Sequence, residues 1–239
     1  MGRTLRIVEG GFVYHVLNRG NARRAFLHKP VDYDSFLRIL AEAKGQVPMR
    51  ILAWCLMPNH WHLVLWPHTG PDLSRFLQWL TLTHTQRWHA HYHNVGTGHL
   101  YQGRFKAFPV QEDDHFYSLC RYVERNALRA GLVERAEDWA FGSLWQRIQG
   151  SGAFAGLLSD WPVAFPKDWV AQVNAAQTEA ELQAIRRSVK RGQPYGGLGW
   201  VELTARRLGL AQTLRPQGRP SRPKPPAAVE EEARPSLFD

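Results

Sequence analysis

Apolar and polar positions along this chain change period several times, and the changes mark the elements. Phe12 to Asn18 is a mostly apolar run short enough for a strand. Asp32 to Lys44 carries Phe36, Leu37 and Leu40 at helical spacing, and Arg50 to Leu56 returns to a strand-like run. Pro58-Asn59 is a turn signal, and Trp61 to Trp66 is the hairpin partner beyond it. Leu73, Phe76, Leu77 and Leu80 begin a long helix reaching about Tyr92, with a loop over Asn94 to Gly98. Arg104 to Val110 reads as a fourth strand. The order strand, helix, strand, strand, helix, strand, helix predicts an α+β fold in which helices pack on an antiparallel sheet.

The last of these helices follows the acidic start signal Glu112-Asp113-Asp114. Phe116, Leu119, Cys120, Val123, Ala127 and Ala130 give it one apolar stripe, and Gly131 is its expected stop. On an unbroken helix Tyr122 and Asn126 lie roughly 40° apart on the flank of that stripe, with Arg129 nearly on the same line. A phenol, a carboxamide and a guanidinium then share one edge. A tyrosine attacking a phosphodiester needs such a cation on the phosphate and a Lewis acid for the developing charge. Tyr117 is turned about 140° from Tyr122 and cannot share that edge.

The second chemical signal is Met57-Pro58-Asn59-His60-Trp61-His62. Alternation along a strand puts His60 and His62 on one face and Trp61 on the other. Two imidazoles about 7 Å apart on one face can converge on a metal ion. A half-exposed histidine pair is the competing reading. His15, in the first strand, is a further residue able to face this site. His89, His91 and His93 splay apart on a helix, and a polar helix end is the better account of them.

Composition adds a partner class. The 239 residues carry a net charge of +9 and a pI near 9.9, which points to an anionic partner. The excess is concentrated between Leu182 and Lys224, where ten Lys or Arg meet one acid, Glu202. The two cysteines, Cys55 and Cys120, sit in apolar stretches and read as core thiols of a reducing compartment. The N-terminus lacks the apolar region of a signal peptide, and no apolar run approaches the ~20 residues needed to span a bilayer. These features place the chain in the cytoplasm, associated with the nucleoid when bound to DNA. After Gly131 the pattern weakens. Trp139 to Gln149 is a short helix candidate, Gly150 to Gly156 a linker, and Glu181 to Lys190 and Trp200 to Leu208 are expected helices. From Arg215 onward proline and charge dominate, and disorder is expected. The expected division is 1–149 for the chemical domain, 150–214 for a helical extension and 215–239 for a basic, proline-rich tail.

With these residues in view the chain resembles the single-tyrosine HUH transposases, and within them the REP-associated tyrosine transposases of bacteria. The resemblance is carried by Tyr14 to Gly20, Met57 to His62, Tyr101-Gln102-Gly103-Arg104-Phe105, Tyr122 to Val133 and, more loosely, Leu214 to Pro220. It implies a ferredoxin-like core and a DNA-nicking and strand-transfer enzyme. It also implies that Tyr122 is the nucleophile, that the intermediate is a 5′-phosphotyrosine, and that His60, His62 and Asn126 bind magnesium or manganese. Imidazoles also tolerate zinc. Single-stranded or hairpin DNA is the expected substrate, with a monomer as the expected acting unit. Arg19, Arg23, Arg24, Arg104, Lys106, Arg125 and Arg129 flank the predicted site and are phosphate-contact candidates, joined by Arg215 and Arg219 in the tail. Gly218-Arg219-Pro220 resembles the centre of an AT-hook, although Gln217 stands where a basic neighbour is expected. Two other readings remain open: a hairpin-binding regulator on the same fold that does not cut, and an RNA-binding module.

Overall fold

The structure is a computed structural model and describes residues 8–150, 152 and 154–215. Four strands build one sheet: β1 (Val13–Arg19), β2 (Met49–Met57), β3 (His60–Pro67) and β4 (Lys106–Val110). Their order is β2-β3-β1-β4 and every neighbouring pair is antiparallel. Two helices, α1 (Pro30–Gln46) and α2 (Gly70–His91), connect β1 to β2 and β3 to β4. This is the ferredoxin-like α+β arrangement expected from the sequence. Each helix starts cleanly, with a proline in its first turn and an aspartate, Asp32 or Asp72, closing a capping box.

Strand alternation divides the molecule into two cores. Tyr14, Val16, Trp54, Trp61, Leu63 and Leu65 point to the α1 and α2 side and pack with Phe36, Leu40, Phe76 and Leu80. Val13, Ala53, Cys55, Val64, Phe108 and Val110 point the other way, to α3 (Asp114–Glu124) and the elements after it. β1 and β3 align Arg19 with His60, Leu17 with His62 and His15 with Val64, so the polar residues of this second face gather at one end of the sheet.

Trp61 anchors that arrangement from behind. Its indole N–H donates to the Tyr101 hydroxyl at 3.1 Å, and that hydroxyl donates to His84 Nδ1 at 2.7 Å. A register slip of one residue would pull Trp61 out of this network and turn both flanking histidines to the wrong face. Burial, offset in part by Asp32, holds the His84 pKa down at about 3. The unfolded chain therefore binds a proton at His84 below about pH 6.5 that the folded chain refuses until about pH 3. Stability present above pH 6.5 is lost as the pH falls through that window, by up to about 1.4 kcal/mol per pH unit for this group. Urea unfolding across the same range is expected to show a shallower pH dependence in His84→Gln, whose amide oxygen still accepts from Tyr101. An unchanged slope would remove His84 from the account.

The remaining helices are α4 (Asn126–Arg129), α5 (Ser143–Gln149), α6 (Trp169–Asn174), α7 (Glu179–Arg191) and α8 (Leu198–Arg207). Leu144, Trp169, Val173 and Ile185 from α5, α6 and α7 fill the second core. The structure corrects the sequence reading in several places. The tyrosine helix is not continuous: Arg125, at φ −82° and ψ 0°, separates α3 from α4. Across this break the Tyr122 carbonyl accepts from the Arg129 side chain at 3.4 Å. Ala130, counted in the apolar stripe, is exposed because the chain turns away before it. The helix sought from Trp139 begins at Ser143, since Trp139 caps a 3-10 turn and its indole donates to the Leu56 carbonyl at 2.9 Å. The six-residue α6 is too short to show a period. At the end of the segment read as a linker, Gly150 to Gly156, residues 155–157 form a 3-10 turn, and Leu157, just past the segment, is buried in the first core. The expectation for residues 216–239, Arg219 and the AT-hook-like triplet included, lies outside the described residues. Among the described residues no helix is long and apolar enough to cross a membrane.

Candidate active site

At the end of the second sheet face, His60, His62, Tyr122 and Arg129 come together. The His60 and His62 rings lie 5.0 Å apart between centroids at 82°, and the Tyr122 ring stands 5.8 Å from His62 at 87°. The Arg129 guanidinium carbon lies 4.1 Å over the Tyr122 ring. Tyr122 is 8% exposed and His62 4%, so the site is a recess whose polar atoms have few competing waters. Asn126 begins α4, and the Ala127 backbone N–H beside it donates to the Cys55 thiol. Cys55 is paired with His62 across β2 and β3, which seats the Asn126 turn against the histidine strand. Asn126 is buried and its Nδ2 has no protein partner.

Hydrogen bonds fix both histidines. Asn59 Nδ2 donates to the Arg23 carbonyl at 3.0 Å, which turns its oxygen to His60 Nδ1 at 2.7 Å. An amide oxygen only accepts, so His60 Nδ1 carries the proton and Nε2 keeps its lone pair. His62 Nδ1 meets His15 Nε2 at 2.9 Å, with the two rings stacked 5.0 Å apart. In the tautomer in which His62 Nδ1 donates to His15, His62 Nε2 is left open, and in the opposite one Nε2 carries the proton. Burial holds the His60 pKa at about 4, with Arg19 and Arg129 adding to the shift. Burial also holds His62 well below its ordinary value, with His60, His15 and both arginines contributing, and burial alone brings His15 to about 3. All three are neutral at pH 7, the state in which imidazole is a ligand.

Asn59 and His15 are the residues the sequence reading undervalued. Asn59 looked like a turn residue. Its role depends on a 3-10 turn at Asn21–Arg23, with Ala22 and Arg23 at φ +51° and +60°, that brings a carbonyl from a distant loop. The only hint of His15 was its place in an apolar strand. Tyr117 faces away from the site, donating to the Ala164 carbonyl at 2.6 Å and packing on Trp161 and Trp169. His89 bonds Asn94, and His93 lies past the helix end at φ +50°. Cys55 and Cys120 are buried, and burial pushes the Cys55 thiol up to about 12.

The candidate phosphate contacts divide. Arg19 pairs with His60 across the strands and keeps a buried Nε without a partner. Arg23, Arg24, Arg104 and Lys106 are exposed around the same end of the sheet. Arg129 is committed to Tyr122, and Arg125 Nε donates to the Ala175 carbonyl at 3.1 Å. Arg215 is exposed, and its carbonyl accepts from Arg191.

Residues 10–126 match the sequence model of the family described as "Transposase IS200 like". The REP-associated tyrosine transposase of Escherichia coli (strain K12) is 23% identical over 168 residues, which cover 70% of this chain and 88% of that relative. A solved structure described as the REP-associated tyrosine transposase bound to a REP hairpin aligns with a TM-score of 0.49 at 20% identity, covering 70% of this chain and 98% of the other. Over residues 10–126, which carry the sheet, the histidine pair and the tyrosine helix, this chain is similar to the IS200-like transposase family.

Proposed function

We propose that the protein is a metal-dependent DNA transposase of the REP-associated kind, which nicks and rejoins single-stranded or hairpin DNA through a phosphotyrosine at Tyr122. The observation that carries this reading is the meeting of the Tyr122 phenol with His62, at 5.8 Å between rings, under the Arg129 guanidinium. In the reaction the Tyr122 oxygen attacks the scissile phosphorus, the new O–P bond forms and the P–O3′ bond breaks. The 5′-phosphate stays on the protein, the phenolic proton passes through water to the leaving 3′-oxygen, and a free 3′-hydroxyl is released. Attack by a second 3′-hydroxyl reverses the step and joins strands with no external energy source. Arg129 sets a positive charge over the ring of the attacking phenol, and Arg19 keeps an unpaired donor at the same end of the sheet.

The residues fit a divalent cation of mixed nitrogen and oxygen preference. His60 keeps its Nε2 lone pair, His62 keeps its own in the tautomer that donates to His15, and the buried Asn126 amide has an unpartnered edge that can present its oxygen on rotation. Among the described residues no group of three His, Cys, Asp or Glu is placed to hold a metal, and the third donor that the family resemblance implies is the Asn126 amide. Magnesium or manganese held by these three would supply Lewis-acid stabilisation of charge on the phosphate.

The reading is tested by incubating the protein with hairpin DNA and magnesium or manganese and resolving covalent protein–DNA adduct on a denaturing gel. Chelation is expected to lower adduct yield by about 10³-fold, since a Lewis acid contributes several kcal/mol. Manganese is expected to restore the adduct in the wild type but not in His62→Ala. Tight hairpin binding without adduct under either metal would favour the non-cutting regulator instead.

A further inference from the structure

Helix α7 lies beyond the residues that match the transposase family, yet it reaches the candidate site. Ile185 and Ser188 are buried and seat the helix on the second core. Arg186, Arg187 and Lys190 are left exposed. Arg186 and Lys190 are four residues apart and about 40° from each other, while Arg187 is turned about 100° from Arg186 and about 60° from Lys190.

That line runs along the β4 edge of the sheet. Lys190 and Lys106 line one cavity of about 260 Å³ at the β4 edge. Lys106 is paired with Leu17, whose other cross-strand partner is His62. Arg186 lies within electrostatic reach of Arg129, the guanidinium stacked on Tyr122. Arg186 thus feels a like charge at Arg129, and Lys190 shares a cavity with a second cation, Lys106. Arg186 has an exposed ion pair with Glu179 at 3.4 Å, an interaction of the kind that holds an arginine weakly. The helix dipole accounts for Lys190 in the last turn but not for Arg186 one turn earlier. Neighbouring cations of this kind are unfavourable in the free protein and favourable around a polyanion.

We propose that α7 forms the second wall of the DNA cleft, with Arg186 and Lys190 binding backbone phosphates of the single strand on the β4 side of Tyr122. The proposal rests on the reading that the Tyr122 site takes DNA. Its occupant is the phosphodiester backbone, so recognition there is independent of sequence.

The test uses the full chain and a fluorescein-labelled DNA hairpin with single-stranded oligothymidylate flanks, with affinity followed by anisotropy across a sodium chloride series. Loss of two phosphate contacts in Arg186→Gln/Lys190→Gln is expected to make the slope of log affinity against log salt shallower by about 1.4 to 1.8. Affinity at moderate salt is expected to fall on the order of tenfold. Arg187→Gln removes a charge from the same helix and is expected to leave slope and affinity near the wild-type values. Equal slopes for the double variant and wild type, or an equal loss in Arg187→Gln, would overturn the α7 contact while leaving the reading of the Tyr122 site intact. A wild type that binds the probe but forms no adduct fails the cleavage reading, and the slopes still decide α7. A wild type that does not bind the probe overturns both.

Discussion

Replacing Tyr122 by phenylalanine is expected to abolish the covalent protein–DNA adduct and to lower strand cleavage by about 10³-fold or more, the scale of losing a nucleophile outright. The substitution removes one oxygen from a ring that is already buried among His15, His62 and Arg129. Packing survives, the guanidinium keeps its ring, and hairpin affinity is expected to stay close to that of the wild type. The measurement is a denaturing gel of adduct beside an anisotropy titration of the same samples. Loss of adduct with retained binding isolates chemistry from recognition. An adduct that persists in Tyr122→Phe would sink the assignment, and Tyr117 would not be an easy substitute, because its hydroxyl is bonded to the Ala164 carbonyl on the far side of α3.

A comparably large effect, on stability, is expected at Glu124. This carboxylate is 1% exposed and ends α3, two residues after Tyr122. It accepts from Ser143 Oγ at 2.5 Å and from the Trp169 indole N–H at 2.6 Å, and Arg147 approaches it at 3.4 Å. Arg147 itself also donates to the Leu52 carbonyl and stacks on Trp161. One buried carboxylate therefore ties the tyrosine helix to α5 and α6. Glu124→Ala leaves a hydroxyl and an indole N–H without their acceptor and Arg147 without its buried counter-charge, a loss of about 3–5 kcal/mol. Urea unfolding of the full chain measures it. A change under about 1 kcal/mol would show that water or rearrangement replaces the carboxylate. Glu124→Gln keeps one acceptor and is expected to fall between the two.

The sequence was sufficient for the sheet and its helices because the strands up to Val110 are short apolar runs and the helices between them carry apolar residues at helical spacing. Period two alone puts His60 and His62 on one face and Trp61 on the other. Helical geometry alone separates Tyr117 from Tyr122. The resemblance to the HUH transposases rests on those same residues, and the family match over residues 10–126 agrees with it.

What the sequence left undecided is set by contacts between residues far apart in the chain. The break at Arg125 coincides with a side-chain bond from Arg129 to the Tyr122 carbonyl, which no local period encodes. The orientation of His60 depends on Asn59 and, through it, on the Arg23 carbonyl 36 residues away from Asn59. The orientation of His62 depends on His15, 47 residues earlier, brought beside it only when β1 pairs with β3. Glu124 gathers partners 19 and 45 residues downstream, and α7 arrives beside Lys106 only through the packing of Ile185. Side-chain periodicity is a local property and was readable from the chain. The protonation, aim and charge surroundings of the site residues are properties of a packed interior, and only the tertiary structure decided them.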